Sequence, residues 1–236
     1  MSLLETFTKK KKLSAAIKQT AKARSSEGTV ADHLYKGAYH DYAEVLVGDP
    51  LRSDTLYNWG FALLHQAKTK TGDEAIKLTQ EAIAKFSFCL LLNPSYLGAA
   101  IDGGVAYMDL ARLKAVDFND ELYEAARFHF EQGNAIQAGT ASYNLACIYG
   151  LRDEGEACLA ALQESKSKGS LPDVDSIVND PDLDKVKDQP WFVAFLAALN
   201  EKSETTVVEN TQLVSEPVEL KEPEKVTNDK NTVSAE

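Results

Sequence analysis

Residues 53–96 decide the fold, and they read SDTLYNWGFALLHQAKTKTGDEAIKLTQEAIAKFSFCLLLNPSY. The first half repeats apolar residues at the spacing of one helical face, until Gly72 and the candidate N-cap residue Asp73 interrupt it. The second half resumes the helical period and stops at Asn93-Pro94. The stretch therefore predicts two helices joined by a turn. Neither helix can bury its apolar face alone, and helix pairs of this kind stack into arrays.

The pattern recurs at a step of about 44 residues. Positions one step apart form columns, one of small residues where two helices approach closely and one of aromatic residues that fill the gap between pairs. The small residues are Ala38, Ala82 and Ala126, and the aromatic residues are Tyr42, Phe86 and Phe130. Several columns that share one period indicate internal repetition.

These columns resemble the tetratricopeptide repeat, whose first helix carries a large apolar residue, Leu-Gly and Tyr, and whose second carries Ala, an aromatic residue, Ala and Pro. The matching residues are Leu56, Trp59, Gly60 and Leu63, then Ala82, Phe86, Cys89 and Pro94. The period is about ten residues longer than the family's usual 34. Plant-type mitochondrial import receptors are similar in having stretched repeats, but no function is carried over from that likeness.

The resemblance implies an all-α fold, a right-handed superhelical array of antiparallel helix pairs in the manner of an α-solenoid. The predicted segments are a basic N-terminal helix at 1–28, helical repeats over 29–169, a C-terminal helical cap at 170–199 and an acidic disordered tail at 200–236. The repeat units lie near 29–52, 53–96, 97–138 and 139–169. The cap resembles the closing segment of a group of bacterial repeat proteins, in which a YNLAC-type helix pair precedes a DPDL piece and a Pro-aromatic piece.

Composition and charge exclude several function classes. The net charge of −11 argues against non-specific binding to nucleic acid. Three cysteines at unrelated positions supply neither a disulfide framework nor metal-ligand spacing. No apolar run approaches the roughly 20 residues of a membrane span, and no secretory apolar region follows the first charges. These features predict a cytoplasmic protein.

The sequence contains no recognisable catalytic constellation. Of the four histidines only His33 and His40 are near neighbours, and two surface histidines explain them better than a metal site. Cys89 and Cys147 fall on packing positions of helices, where a thiol acts as a small apolar side chain. We therefore predict no enzyme activity, no cofactor and no metal.

The resemblance implies a concave binding groove, lined mainly by the first helix of each pair. The groove positions, carried over residue by residue, are Tyr57, Asn58, Phe61, His65, Asp102, Val105, Asp109, Tyr143 and Asn144. The family's carboxylate-clamp subtype needs basic side chains beside asparagines, and these columns hold Asn58 and Asn144 without the basic partners. The mixed apolar and amide lining favours a peptide or an amphipathic helix. The leading prediction is a non-enzymatic interaction scaffold that binds a peptide or helix of a partner protein there.

The basic N-terminus supports an alternative function. Residues 1–24 carry seven basic residues and one acidic residue, and their apolar residues have roughly helical spacing. The segment is either an amphipathic contact to an anionic membrane or an acidic partner, or a first helix that caps the array with a solvated face. On the first interpretation the chain is a self-associating or membrane-docking structural scaffold.

Overall fold

The computed structural model of the chain describes residues 3–199, with side chains from residue 7 onward. Backbone contacts divide the chain into two compact units, 1–193 and 194–236. In the second unit the described residues, 194–199, are helical. The predicted tail at 200–236 lies outside the described residues, and the helical array belongs to the first unit.

The first unit consists of helices joined by short turns. In chain order they are α1 (Leu3–Arg24), α2 (Gly28–Gly48), α3 (Ser53–Ala67), α4 (Gly72–Leu92), α5 (Leu97–Leu113), α6 (Glu121–Ile136), α7 (Ser142–Leu151), α8 (Gly155–Lys168) and α9 (Val174–Val178), followed by a 3₁₀ turn (Pro181–Leu183) and helical residues 190–193. Among residues 3–199 there is no strand, and no helix there is both long and apolar enough to cross a lipid bilayer. Helix α4 has Thr71 as its N-cap residue, so Asp73 lies in the first turn and not at the predicted N-cap.

Consecutive helices from α1 to α8 pack against one another. Helix pairs form between α1 and α2, α3 and α4, α5 and α6, and α7 and α8, and the second helix of each pair contacts the first helix of the next. The first helices also meet directly, α1 with α3 and α3 with α5. This arrangement confirms the prediction of an all-α array of helix pairs, an α-solenoid, and it places α1, α3 and α5 side by side.

Glycine on the first helix of a pair admits the aromatic ring of the second. Phe86 and Phe130 are fully buried, and each ring lies against a glycine of the preceding helix. A Cβ atom added at Gly60 would lie 2.8 Å from Cε1 of Phe86, and one added at Gly104 would overlap the Phe130 ring. Phe86 and Phe130 of the aromatic column therefore lie where the two helices of one pair touch, rather than in the predicted gap between pairs.

Helix α1 forms the first layer of the array. Leu13, Ala16 and Ala23 are buried on one face, and the Thr20 hydroxyl lies 3.0 Å from the Tyr42 hydroxyl of α2. The opposite face of α1 is open to solvent. The helix is thus held by packing along one side only, as the outermost helix of a stack must be.

A segment of mixed short turns follows α8 and packs against α7. Its apolar side chains Ile177, Leu183 and Val186 are fully buried. The close approach depends on Gly150 of α7, where an added Cβ would lie 2.8 Å from the Asp182 carbonyl oxygen. This C-terminal segment, residues 171–189, places two carboxylates beside the first helices of the array.

Candidate functional site

An aromatic row runs along α3 at one-turn spacing. It consists of Tyr57, Phe61 and His65, and each of these side chains is half-buried. The ring centroids of Tyr57 and Phe61 lie 6.1 Å apart, and those of Phe61 and His65 lie 4.3 Å apart in an edge-to-face arrangement. Residues four apart share one side of a helix, so α3 presents a continuous aromatic strip.

The neighbouring first helices contact this row from both sides. The Arg24 guanidinium at the end of α1 lies 5.0 Å from the Phe61 ring centroid, within cation–π range. On the other side, the Tyr57 hydroxyl donates a hydrogen bond of 3.0 Å to Asp102 Oδ2 on α5. The row therefore lies between α1 and α5, on the side of the array that the first helices form.

The electrostatics of the row differ between its two ends. Burial raises the pKa of Asp102, against the opposing effects of the Tyr57 hydrogen bond and of the Lys68 charge. Burial, together with the charges of Arg24 and Lys68, lowers the pKa of His65 to about 4. The imidazole is therefore neutral at physiological pH, and the row offers an uncharged aromatic surface next to a carboxyl group on α5.

A second group of predicted residues lines a small cavity between α5 and α7. Val105, Tyr143 and Asn144 border this cavity, whose volume is about 190 Å³. The C-terminal segment reaches the same cavity through two carboxylates. The Tyr143 hydroxyl donates a hydrogen bond of 2.8 Å to Asp180 Oδ2, and Arg112 Nη2 lies 2.6 Å from Asp182 Oδ2. The α7 end of the predicted groove is thus covered by the chain itself.

The predicted groove residues fall into three sets. Five of them share the region of the aromatic row, namely Tyr57, Phe61, His65, Asp102 and Asp109, and three line the covered cavity, namely Val105, Tyr143 and Asn144. The last, Asn58, donates a hydrogen bond of 2.7 Å from its amide to the Asp54 carbonyl oxygen of its own helix. That amide is engaged locally, which a column position alone does not indicate.

Basic side chains from outside the predicted columns lie close to the predicted groove residues. Lys68 Nζ lies 3.9 Å from Asp109 Oδ2, and Arg112 Nη1 lies 3.2 Å from Asp109 Oδ1. Arg24, Lys68 and Arg112 end the three first helices α1, α3 and α5, one repeat period apart. The period that identifies the packing columns therefore also identifies a basic column, but each of its members has an acidic or aromatic partner.

The covered cavity also brings together Cys147, Asp180 and Asp182, whose ligand-type atoms lie within 4.8 Å of one another. Cys147 Sγ lies 3.6 Å from Asp180 Oδ2, and burial raises the pKa of the thiol, which favours its protonated form. Asp182 already forms an ion pair with Arg112. A protonated thiol and an arginine-paired carboxylate are poor metal ligands, so the cluster is better explained as the polar contact that holds the C-terminal segment on α7.

Comparison with known proteins gives one family match. The model of the plant-specific mitochondrial import receptor subunit TOM20 matches residues 29–147, just over half of the 236 residues. The matched range runs from α2 into α7 and contains the aromatic row, whereas α1 and the C-terminal segment lie outside it. No match was found among the curated proteins.

The match bears on two predictions. A receptor acts by binding another protein, which agrees with the predicted non-enzymatic, partner-binding role. The predicted cytoplasmic location is wrong, because the matched family is a mitochondrial import receptor, which is associated with the mitochondrial surface. The lack of a recognised signal or membrane span in a sequence does not determine where a protein is located.

Proposed function

We propose a receptor function for this chain, because it belongs to the family of the plant-specific mitochondrial import receptor subunit TOM20. The partner is a protein that is to be imported into mitochondria, and it is recognised through a short segment that forms an amphipathic helix. The binding site is the region of the aromatic row on α3 and the facing side of α5. No bond is made or broken, so the chain acts as a non-enzymatic receptor.

The half-buried aromatic row carries this proposal. Tyr57, Phe61 and His65 give a half-buried aromatic surface on α3. On the facing side of α5, Asp102 is hydrogen-bonded to Tyr57, and Asp109 is paired with Lys68 and Arg112. An amphipathic helix places its apolar side chains into such a groove, and its polar side chains stay at the border. Aromatic side chains supply large contact areas at low entropic cost, so a few of them can dominate the affinity.

The proposed groove ends at α5. Tyr143 and Asn144 on α7 belong to it only by column position, and the contacts of Tyr143 and Arg112 with the C-terminal segment compete with any ligand there. In this proposal the repeats are stretched tetratricopeptide repeats, and the C-terminal segment is their end cap. The ligand helix then crosses α3 and α5, between the end of α1 and the cap.

The decisive experiment is a binding titration with a synthetic peptide that forms a helix with leucines on one face and arginines on the other. Phe61→Asp places a charge in the middle of the row, and we expect at least a tenfold loss of affinity. Phe128→Asp is the matched control, since Phe128 lies on α6 and is 64% exposed. Both variants are first checked for wild-type helical circular dichroism.

A second peptide separates groove binding from general attraction of charge. It has the same composition, but its residues are permuted so that no apolar face forms. We expect the intact protein to bind only the amphipathic peptide. Equal binding of both peptides, or equal affinities of the Phe61→Asp and Phe128→Asp variants, would contradict the proposed groove.

A further inference from the structure

The outward face of α1 carries a stripe of lysines. Lys11, Lys18 and Lys22 follow one another at helical spacing on the side opposite the buried residues, and all three are exposed. Phe7 continues the stripe toward the N-terminus, and its side chain is 69% exposed. The stripe from Phe7 to Lys22 extends over about 22 Å, at roughly 1.5 Å per residue.

The charge of this stripe is not balanced by its neighbours. In the described part of the chain, no ion pair involves Lys11, Lys18 or Lys22. Two acidic side chains of the neighbouring helices are already engaged, because Glu44 of α2 pairs with Lys12 and Asp54 of α3 pairs with Arg52. The stripe is therefore a local positive surface on a chain whose net charge is −11.

We propose that the stripe docks the protein on the anionic headgroups of a lipid membrane. Lysines near an anionic leaflet each add attraction, and an exposed aromatic ring beside them can enter the interface. A straight row of flexible lysines fits a flat, continuous surface of charge. A protein partner would require an apolar centre in the contact, and the exposed residues between the lysines on this face, Ser14, Ala15 and Ala21, are all small.

Docking through this face leaves the rest of α1 unchanged. Leu13, Ala16 and Ala23 stay packed in the array, so the helix binds without leaving its place. Arg24 projects to a different side, toward Phe61 of the aromatic row. The membrane contact and the groove thus use different surfaces, and this proposal does not depend on peptide binding.

The test is co-sedimentation of the full chain with vesicles of phosphatidylcholine alone and of phosphatidylcholine mixed with phosphatidylserine. The variant Lys11→Gln/Lys18→Gln/Lys22→Gln removes three charges from the stripe. The matched control Lys36→Gln/Lys77→Gln/Lys114→Gln removes three charges from exposed positions elsewhere. Both sets are solvent-exposed, so both variants are expected to keep the wild-type melting temperature.

We expect binding to the phosphatidylserine vesicles only, and weaker binding as salt is added. The stripe variant should lose at least tenfold in vesicle affinity, since each lysine contributes about a factor of five, and the control should bind like the wild type. Phe7→Ser should give a smaller loss. Equal binding by the two triple variants, equal binding to neutral vesicles, or no vesicle binding at all would overturn the proposal. The last outcome would leave an acidic protein as the partner of the stripe.

Discussion

Tyr57 of α3 and Asp102 of α5 are joined by a hydrogen bond of 3.0 Å that links the first helices of two successive pairs. The Tyr57 ring also lies against the tilted ring of Tyr96, with 4.9 Å between the ring centroids, just before α5 begins. A single side chain of the aromatic row therefore connects α3 to α5. The same residue serves the packing of the array and the surface proposed for ligand binding.

Replacement of Tyr57 by Phe should destabilise the array. The ring is retained, but the half-buried Asp102 carboxyl group loses its hydrogen-bond donor. We expect the free energy of unfolding to fall by about 1–2 kcal/mol, the usual cost of a buried acceptor left without a partner. Urea denaturation followed by circular dichroism measures it. Tyr107→Phe on α5 is the control, and equal unfolding midpoints for the two variants would rule out this role of the bond.

Two glycine substitutions should have opposite effects. Alanine at Gly104 pushes its Cβ into the buried Phe130 ring, and we expect a loss of about 1–3 kcal/mol of stability. Alanine at Gly133 of α6 meets its nearest atoms at 3.4 Å, so its better helix propensity should leave stability equal or raise it by up to about 1 kcal/mol. Thermal melts of the two variants test this difference. Similar melting temperatures would show that close packing at Gly104 is not limiting.

The fold could be predicted because the residues that pack between helices recur at a fixed period in the sequence. Ala82 and Phe86 recur one period away as Ala126 and Phe130, and the structure buries all four. Small and aromatic residues fit such positions, because there the two helices of a pair lie close together. Helix ends are less strictly determined, since several polar residues can serve as N-cap, and Thr71 rather than Asp73 fills that position in α4.

The candidate site was only partly predictable. The row of Tyr57, Phe61 and His65 follows from spacing on one helix, and its contact with Asp102 follows from the neighbouring column. The sequence does not predict that the C-terminal segment covers Tyr143, because Asp180 belongs to a segment outside the repeat pattern. Its position depends on how that segment packs on α7, which no periodicity encodes. The predicted unit boundaries and the functional role of each groove residue stay predictions.

The depressed pKa of His65 gives the protein a defined acid sensitivity. Burial beside Arg24 and Lys68 lowers this pKa from 6.5 to about 4, so the unfolded chain takes up the proton first as the pH falls. The contribution of neutral His65 is therefore complete above pH 6.5 and is lost progressively between pH 6.5 and 4. Because the ring is half-exposed, solvent screening limits the loss to about 1 kcal/mol.

The variant His65→Gln should remove this part of the acid response. Urea denaturation at several pH values between 7 and 4 gives the stability of each protein, and the slope of the variant should be shallower than that of the wild type. His33→Gln, at an exposed position of α2, should keep the wild-type slope. If His65→Gln loses stability on acidification as steeply as His33→Gln does, the burial of His65 has no consequence for stability.

The ion pair between Arg112 and Asp182 should matter more than a surface pair of similar geometry. Asp182 is mostly buried, and burial raises its pKa while the Arg112 charge opposes this shift. In Arg112→Gln the carboxylate keeps its burial but loses its counter-charge, so we expect a loss of about 2 kcal/mol. Arg127→Gln on α6, which removes exposed pairs with Glu124 and Glu131, should cost less than about 1 kcal/mol.

The pH dependence separates a lost charge pair from lost packing in Arg112→Gln. Without Arg112 the pKa of Asp182 in the folded protein rises further. A carboxyl group whose pKa is higher in the folded than in the unfolded state stabilises the fold at a pH below the unfolded-state pKa. This stabilisation is lost as the pH rises through the folded-state pKa. The stability difference between wild type and Arg112→Gln should therefore be larger at pH 7 than at pH 4. A difference that is constant with pH would mean that the arginine acts through its aliphatic stem, and the cover over α7 would then depend on Leu183 and its apolar neighbours rather than on charge.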